Sequence, residues 1–220
     1  MVDLSVSLYS DARIIAVGAI MLLAACAPPR VAALPGAIVP VQQLPLPRPQ
    51  VGSRKVVFQW ELHDGDIIAR GEGAARIASP DSVRMDFFMA GGFGSGGAIL
   101  IGDSLQVPGP DMMRKLVPPR ALLWAALGEF AVPAERDTFV RVDGGLLRAD
   151  IGAPVHWRAT FRGDTLTRLD RVEDGRLQEW VVRTPDQKVQ YRNESSRRSL
   201  SLVIVRTDAV SSFDPSIWHF

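Results

Sequence analysis

A mainly β domain, with an antiparallel sheet curled into a barrel or half-barrel, is the fold class that this sequence predicts. Three observations support it. Apolar and polar residues alternate with a period of two over most of the chain after residue 54, and turn dipeptides of Gly and Asp separate these stretches at short intervals. Only one segment has the start and stop signals of a helix. Many short strands with a single helix are typical of a barrel.

The composition bounds the size of the domain and its partners. Roughly 170 residues follow the N-terminal leader and linker, enough for one domain that buries about 70% of its unfolded surface. The chain has 25 Lys and Arg against 24 Asp and Glu, a net charge of +1. A protein this close to neutral has no positive field to attract a polyanion, so we expect no nucleic-acid partner. No cysteine follows Cys26, so core packing rather than disulfides must stabilise the domain.

The N-terminal stretch has the organisation of a secretory leader. Arg13 precedes an uncharged apolar run over residues 14–23, which is too short to span a bilayer. The run ends in Leu23-Ala24-Ala25-Cys26, which resembles the lipobox of bacterial lipoproteins and contains the only cysteine of the chain. The resemblance implies a signal peptide over residues 1–25 and a diacylglyceryl anchor, with acyl chains such as palmitate, on the Cys26 thiol. An ordinary secreted protein with a stray cysteine is the alternative.

The segment after this cysteine is rich in proline. Residues 27–50 hold seven of the sixteen prolines and only two charged residues, Arg30 and Arg48. This composition favours an extended, polyproline-like tether of about 3.1 Å per residue. We therefore assign residues 26–53 to the lipidated cysteine and a tether that is either a spacer from the membrane or a disordered tail. Residues 54–220 then form the barrel domain.

The period of two and the turn residues place the strands. The first, over residues 56–62, leads through a turn into a second at residues 67–77, where one side carries small residues such as Gly71 and Gly73. Small residues in a strand indicate a bend or a close neighbour. Further strands are predicted at residues 82–89, 98–101, 104–107, 138–142, 146–151, 155–161, 165–172, 177–183, 188–193 and 199–206. The expected sheet has about ten to eleven strands.

One short apolar helix is expected over residues 120–127. Pro118-Pro119 precede it and Gly128 follows it as a C-cap. Apolar side chains surround this helix almost completely, so the protein or a ligand must cover it. Residues 108–119, with four prolines, are expected to be irregular. The aromatic C-terminal residues 213–220 are expected to dock on the barrel.

No residue pattern predicts catalysis, a metal site or a cofactor. Gly92, Gly94 and Gly97 match the letters of a dinucleotide fingerprint, but a strand rather than a helix follows them, so the phosphate-binding helix N-terminus is missing. No spaced cluster of metal ligands accompanies the three histidines, which are His63, His156 and His219. We therefore expect a protein that is not an enzyme.

Apolar surface is the remaining candidate for function. Apolar ligands bind in the mouths of such barrels, and eight apolar residues are candidates to line a cavity here: Phe58, Trp60, Val83, Met85, Phe87, Leu122, Leu123 and Trp124. The loop at residues 91–97 is expected to protrude as a mobile arm that presents Phe93 to lipid or cargo, because its five glycines have wide backbone freedom. Alternatively, these residues simply fill a core and Phe93 folds back onto it.

The order of the elements resembles a known family. A strand at Asp81-Ser82-Val83-Arg84-Met85-Asp86-Phe87-Phe88, a glycine-bearing loop, a hairpin over residues 98–107 and the helix with Leu122-Leu123-Trp124 and Leu127-Gly128 are similar to those of the outer-membrane lipoprotein receptor LolB and its carrier relative LolA. The resemblance covers residues 56–205. It implies an incomplete antiparallel barrel, closed by helices, around an apolar cavity for acyl chains. This chain departs from the family in having one clear helix.

Two functions follow as expectations. The resemblance implies a lipoprotein, anchored in the membrane through Cys26, that binds the acyl chains of a lipid or lipoprotein cargo and takes part in outer-membrane lipoprotein localisation. Ala27 after the cysteine is permissive for the outer membrane in such sorting, so the domain would face the periplasm. The alternative is a structural or assembly lipoprotein of the envelope, whose filled barrel binds a protein partner through its exposed face.

Overall fold

The structure is a computed structural model that describes residues 28–45, 52–78, 81–92, 94–133 and 135–220. Within these ranges thirteen strands form one antiparallel sheet, and two short helices lie against it. The strands are β1 Ala37–Val39, β2 Ser53–Asp64, β3 Ile67–Ala78, β4 Ser82–Met89, β5 Ser95–Ile101, β6 Ser104–Gln106, β7 Thr138–Asp143, β8 Leu146–Ile151, β9 Trp157–Arg162, β10 Thr165–Glu173, β11 Arg176–Arg183, β12 Lys188–Asn193 and β13 Arg198–Val210. The helices are α1 Asp111–Lys115 and α2 Arg120–Ala126.

The sheet is continuous but not closed. Its strand order is β1-β7-β8-β9-β10-β11-β12-β13-β2-β3-β4-β5-β6, so β1 and β6 are its two edges. Most neighbouring strands are consecutive in sequence and form hairpins. The pairing of β13 with β2 instead joins the last strand of the chain to one near its start, with Trp60 opposite Leu202. The structure thus confirms a mainly β, antiparallel sheet curled into an open barrel.

The period of two correctly predicts which side chains form the core. Along β2 the side chains of Val56, Phe58, Trp60 and Leu62 are buried on one face of the sheet, while Gln59 between them is exposed. We call this the inner face. The other strands contribute alternate buried residues to the same hydrophobic cluster, which also contains the buried side chains of α1 and α2. The core therefore lies between the sheet and the two helices.

The small residues of β3 mark close neighbours. A Cβ atom on Gly73 would lie 2.5 Å from the ring of Phe58, and one on Gly71 would lie 1.9 Å from the carbonyl oxygen of Phe88 and 2.9 Å from the ring of Trp60. The large rings of β2 thus lean across β3, and any side chain at these two positions would overlap them. Small residues in this strand were expected to mark either a bend or a close neighbour, and the structure shows a close neighbour.

The proline-rich segment does not stand free of the domain over residues 28–45, which corrects the expected tether. The Val31 amide donates to the Gly175 carbonyl at 2.9 Å, and the Leu177 amide donates to the Pro29 carbonyl at 2.8 Å. Further on, β1 pairs with the edge strand β7. An exposed sheet edge offers unpaired amides and carbonyls, and the non-proline residues of the segment pair with them. With the twelve segments predicted from the sequence, β1 makes thirteen strands, so the expected number of ten to eleven was too low.

The helical region also differs from the expectation of one helix. Helix α2 forms as expected and ends at Ala126, with Gly128 beyond it at φ +93°. Helix α1 lies inside the proline-rich stretch that was expected to be irregular. It begins after Pro110, with Asp111 in its first turn and Lys115 in its last, an arrangement that matches the helix dipole. Neither helix among the described residues is long and apolar enough to cross a bilayer.

The aromatic C-terminus docks on the outer face of the sheet, as predicted. Arg84 on β4 donates to the carbonyls of Ile217 at 2.7 Å and His219 at 3.1 Å. The same guanidinium lies 5.4 Å from the centre of the Phe220 ring. Ile99, on the outer face of β5, is 1% exposed, although the outer face elsewhere is largely polar. The last residues of the chain are therefore part of the folded domain.

The glycine-rich loop is shorter than residues 91–97, over which it was expected from the sequence. Gly96 and Gly97 belong to β5, where they pair with β4. A Cβ on Gly96 would lie 2.1 Å from the sulfur of Met113, and one on Gly97 would lie 2.8 Å from the Met85 carbonyl oxygen. These two glycines therefore permit close packing, and only the residues before Ser95 connect the strands.

Replacement of Gly71 by alanine tests the packing of β3. We expect Gly71→Ala to lower the free energy of unfolding by about 2–3 kcal/mol, because the new Cβ overlaps backbone that cannot move alone. Urea denaturation of the variant and of the parent measures the difference. Ser201→Ala, at an exposed position on the outer face of β13, serves as the control and should change it by no more than about 0.5 kcal/mol. Equal stability of Gly71→Ala and the parent would contradict this packing.

Candidate functional site

The eight cavity candidates come together on the inner face and in α2. Phe58 and Trp60 on β2 face Val83, Met85 and Phe87 on β4, and Leu122, Leu123 and Trp124 on α2 belong to the same hydrophobic cluster. Each of these side chains is no more than 3% exposed. The sequence thus identifies residues that share one apolar interior, and this interior is the candidate site.

Aromatic side chains form the floor of the interior. The Phe87 ring packs edge-on against Phe58, with the ring centres 5.8 Å apart, and against Trp60 at 6.1 Å. Such edge-to-face pairs stabilise by about 0.5–1.5 kcal/mol beyond their buried area. The indole nitrogen of Trp60 donates to the Glu72 carbonyl at 2.9 Å. Its polar atom is therefore satisfied by the sheet, and only its apolar surface faces the interior.

Helix α2 fills the space above this floor. All residues from Ala121 to Ala126 are buried, so the helix lies inside the domain with no solvent-exposed stripe after Arg120. The cavity left between α2 and the sheet has a volume of about 10 Å³ and a wholly apolar lining that includes Met85, Leu123 and Tyr191. A cavity of that size holds about one water molecule. The interior is therefore occupied by the protein's own helix.

Side chains attach the helices to the sheet. We define the helical cover as residues 111–127, which include α1 and α2. In the described residues, its hydrogen bonds and ion pairs to the sheet each use a side chain on at least one partner. Lys115 pairs with Asp64, and Arg120 Nε donates to the Gly102 carbonyl at 3.0 Å. No backbone ladder among the described residues joins the cover to a strand, so the hydrogen bonds between the strands do not depend on the cover.

Two arginines hold the C-terminal end of α2. Arg183 donates to the Ala126 carbonyl, and Arg54 Nη2 lies 3.4 Å from the Leu127 carbonyl oxygen and 2.7 Å from Glu129 Oε1. Cations at this end satisfy carbonyls that have no partner within the helix. Burial, and next the neighbouring Arg54, lower the pKa of Arg183 below its usual value. Glu129 partly offsets this repulsion, so the attachment depends on a balance of charges.

A buried polar cluster interrupts the apolar interior. Glu179 on β11 is 3% exposed, and its Oε1 accepts from the Tyr191 hydroxyl at 2.6 Å and from the Asn193 amide at 3.0 Å. Arg171 Nε lies 2.8 Å from Glu179 Oε2. Burial, with the Glu179 carboxylate as the second cause, raises the pKa of Tyr191 to about 12. The hydroxyl therefore stays protonated and donates to the carboxylate.

Sequence reasoning missed this cluster although it offered a signal. Glu179 has the same parity as Val181 on a strand whose alternate residues face inward. A charged residue at an inward position needs a partner on a neighbouring strand, and Tyr191 and Asn193 are inward residues of β12. The pairing that brings them together is not visible without the register of the sheet.

The remaining site predictions fall outside this interior. Cys26 and Phe93 lie outside the described residues. Of the histidines, His63 pairs with Glu61 at 2.6 Å and His156 lies 3.2 Å from Glu135. Within the part of the chain that the structure describes, no three His, Cys, Asp or Glu side chains are grouped as metal ligands would be.

Comparison with known proteins finds likeness in fold. No family model matches the chain, and no curated protein is similar to it. Among solved structures, a LolA superfamily protein from Nitrosomonas europaea is 11% identical with a TM-score of 0.47, over 82% of this chain and 96% of that one. An outer membrane lipoprotein-sorting protein domain from Vibrio parahaemolyticus is 6% identical with a TM-score of 0.44, over 76% and 89% of the two chains. A DUF1329 family protein from Desulfovibrio piger is 6% identical with a TM-score of 0.40, over 77% and 90%. At these identities the likeness concerns the fold alone, and no residue's role passes to this chain.

Proposed function

We propose that this chain is a membrane-anchored envelope lipoprotein that binds acyl chains of a lipid or lipoprotein on the inner face of its sheet, in the place that α2 now occupies. The observation that supports the proposal is the combination of an inner face that is apolar apart from the Glu179 cluster with a cover attached through side chains. A role in outer-membrane lipoprotein localisation agrees with the family resemblance of the sequence and with the lipobox.

The energetics allow the cover and an acyl chain to exchange. Each methylene of an acyl chain contributes about 0.8 kcal/mol when it leaves water, so a chain of sixteen carbons contributes on the order of 12 kcal/mol. Burying one large side chain such as Leu122, Leu123 or Trp124 contributes about 1.5–3 kcal/mol, and α2 buries several. The two quantities are of the same order. An acyl chain can therefore compete with the cover for the inner face.

The alternative function has an observation of its own. The closed interior has room for about one water molecule, as expected of a filled barrel whose function resides on its outer surface. An envelope lipoprotein that binds a protein partner in this way needs no movement of α2. A variant in which the cover cannot move distinguishes the two proposed functions, because only acyl binding requires that movement.

A disulfide between α1 and β5 provides such a lock. The Cβ position of Gly96 is 3.4 Å from the Cβ of Met113, close to the separation of about 3.5–4.5 Å that disulfides span. We expect the mature chain with Cys26→Ser to yield acyl lipid on extraction and in native mass spectra. We expect Gly96→Cys/Met113→Cys in that background to lose this lipid when oxidised, because the cover then stays on the sheet.

The same double variant in its reduced form is the matched control, and it should bind lipid as the parent does. Equal lipid in the oxidised and reduced forms would contradict exchange with the cover. The absence of lipid from all forms, together with capture of one defined envelope protein, would support the filled-barrel alternative.

Cys26 carries the proposed anchor. We expect Cys26→Ala to abolish incorporation of labelled palmitate and to leave the precursor unprocessed, because the cysteine sulfur is the atom that receives the diacylglyceryl group in lipoproteins. Membrane fractionation and metabolic labelling measure both effects. The parent should fractionate with the outer membrane, since Ala27 rather than Asp follows the cysteine. A labelled Cys26→Ala protein, or a parent found in the inner membrane, would contradict the proposed anchoring.

Phe93 belongs to the proposed arm between β4 and β5. We expect Phe93→Glu to impair acceptance of lipid or lipoprotein while changing the free energy of unfolding by no more than about 0.5 kcal/mol, as is typical of surface positions. Phe93→Leu, which keeps an apolar side chain, is the control. A loss of several kcal/mol of stability, as when a buried aromatic side chain is removed, would place Phe93 in the core instead.

A further inference from the structure

The start of the proline-rich segment is fixed to one turn of the sheet. The Pro28 carbonyl accepts from Arg176 Nη1 at 3.0 Å, the Pro29 carbonyl accepts from the Leu177 amide, and the Val31 amide donates to the Gly175 carbonyl. Three hydrogen bonds within four residues attach the segment to the turn between β10 and β11. The segment Pro28–Val31 therefore has a defined position on the sheet.

Very little chain separates this turn from the proposed lipid anchor. Only Ala27 lies between Cys26 and Pro28. Two Cα steps of a trans chain reach at most about 7 Å. If Cys26 is acylated, as the proposed function holds, the turn between β10 and β11 must lie at the membrane surface, because a segment this short cannot act as a long spacer.

The pairing of the strands identifies what else lies at that end. Successive connections of an antiparallel sheet alternate between its two ends, so the β10–β11, β12–β13 and β2–β3 turns lie at the same end. The β2–β3 hairpin turns directly after Asp64, which pairs with Ile67. Ile67 is 45% exposed and Ile68 is 56% exposed. Because they are consecutive in a strand, their side chains project from opposite faces of the hairpin tip.

The opposite end of the sheet has exposed apolar residues of its own, Ile101 at 40% and Val142 at 38%. Its two-residue turns include Gly102-Asp103 and Gly163-Asp164, and Asp186 lies in the turn between β11 and β12.

The end near Cys26 has aspartates in its turns too, Asp66 between β2 and β3 and Asp174 between β10 and β11. Composition therefore does not distinguish the two ends, and the short link from Cys26 to the docked Pro28 selects the end that faces the bilayer.

We propose that the docked segment Pro28–Val31 holds the domain in one orientation on the bilayer that anchors Cys26, with the β2–β3 hairpin tip inserting Ile67 and Ile68 into the lipid surface. The tip thus contacts the lipid bilayer rather than a protein. The proposal rests on the acylation of Cys26, and it adds a second membrane contact and a fixed direction for the domain.

Chemical coupling of one acyl chain tests the orientation without the cell's own acylation. The mature chain, residues 26–220, is joined through Cys26 to a fourteen-carbon maleimide lipid and mixed with phosphatidylethanolamine and phosphatidylglycerol vesicles. One such chain alone binds membranes only marginally, so a second contact is measurable. We expect Ile67→Ser/Ile68→Ser to lower vesicle partitioning about tenfold, with an unchanged thermal midpoint and with amide exchange of residues 64–68 no longer slowed by vesicles.

Two controls make the result specific to the docked segment. In the first, the lipid is attached at the far end through Asp186→Cys in a Cys26→Ser background, and the isoleucine substitutions should then change partitioning less than twofold. In the second, twelve Gly and Ser residues inserted after Ala27 should reduce the effect of those substitutions. Equal effects from both attachment points, or no effect from Cys26, would overturn the proposal. A lack of palmitate labelling in cells would instead contradict the proposed anchor.

Discussion

An open sheet with one face that is apolar apart from the Glu179 cluster must have that face covered, and this constraint shapes the rest of the domain. Helix α2 meets it by burying all its residues after Arg120. The cover in turn requires partners for the carbonyls at its C-terminal end, which Arg54 and Arg183 supply. Glycines on β3 let the rings of the floor lie flat enough to leave room for the helix. Each of these features follows from the need to keep the inner face out of water.

Local signals in the sequence predicted much of this fold. The alternation along β2 and β4 located the core side chains, and the proline and glycine punctuation located α2. All eight cavity candidates lie in the interior. The period of two identifies the five on β2 and β4, and the three on α2 follow because a helix that is apolar on all sides must be covered. The aromatic character of the C-terminal residues predicted their docking, since exposed aromatic clusters are unfavourable in water.

Features that depend on distant partners could not be predicted in the same way. Strand β1 forms because β7 would otherwise be an edge with unpaired hydrogen-bonding groups. The residues 37–39 contain no sequence signal for this pairing. Whether the apolar residues fill a core or line a cavity stayed open from the sequence, because both kinds of residue have the same composition. The inward position of Glu179 follows from the alternation along β11, but its partners on β12 depend on the register of the sheet.

The pairing of β2 with β13 has a consequence for how the protein matures. Trp60 and Leu202 lie side by side although more than half of the chain separates them. Because β2 is synthesised long before β13, it cannot complete its place in the sheet until the end of synthesis. Contacts between residues so far apart in sequence are slow to form, and exposed apolar strands associate with other chains in the meantime. Folding of the domain is therefore limited by the time between the appearance of its first long strand and its last.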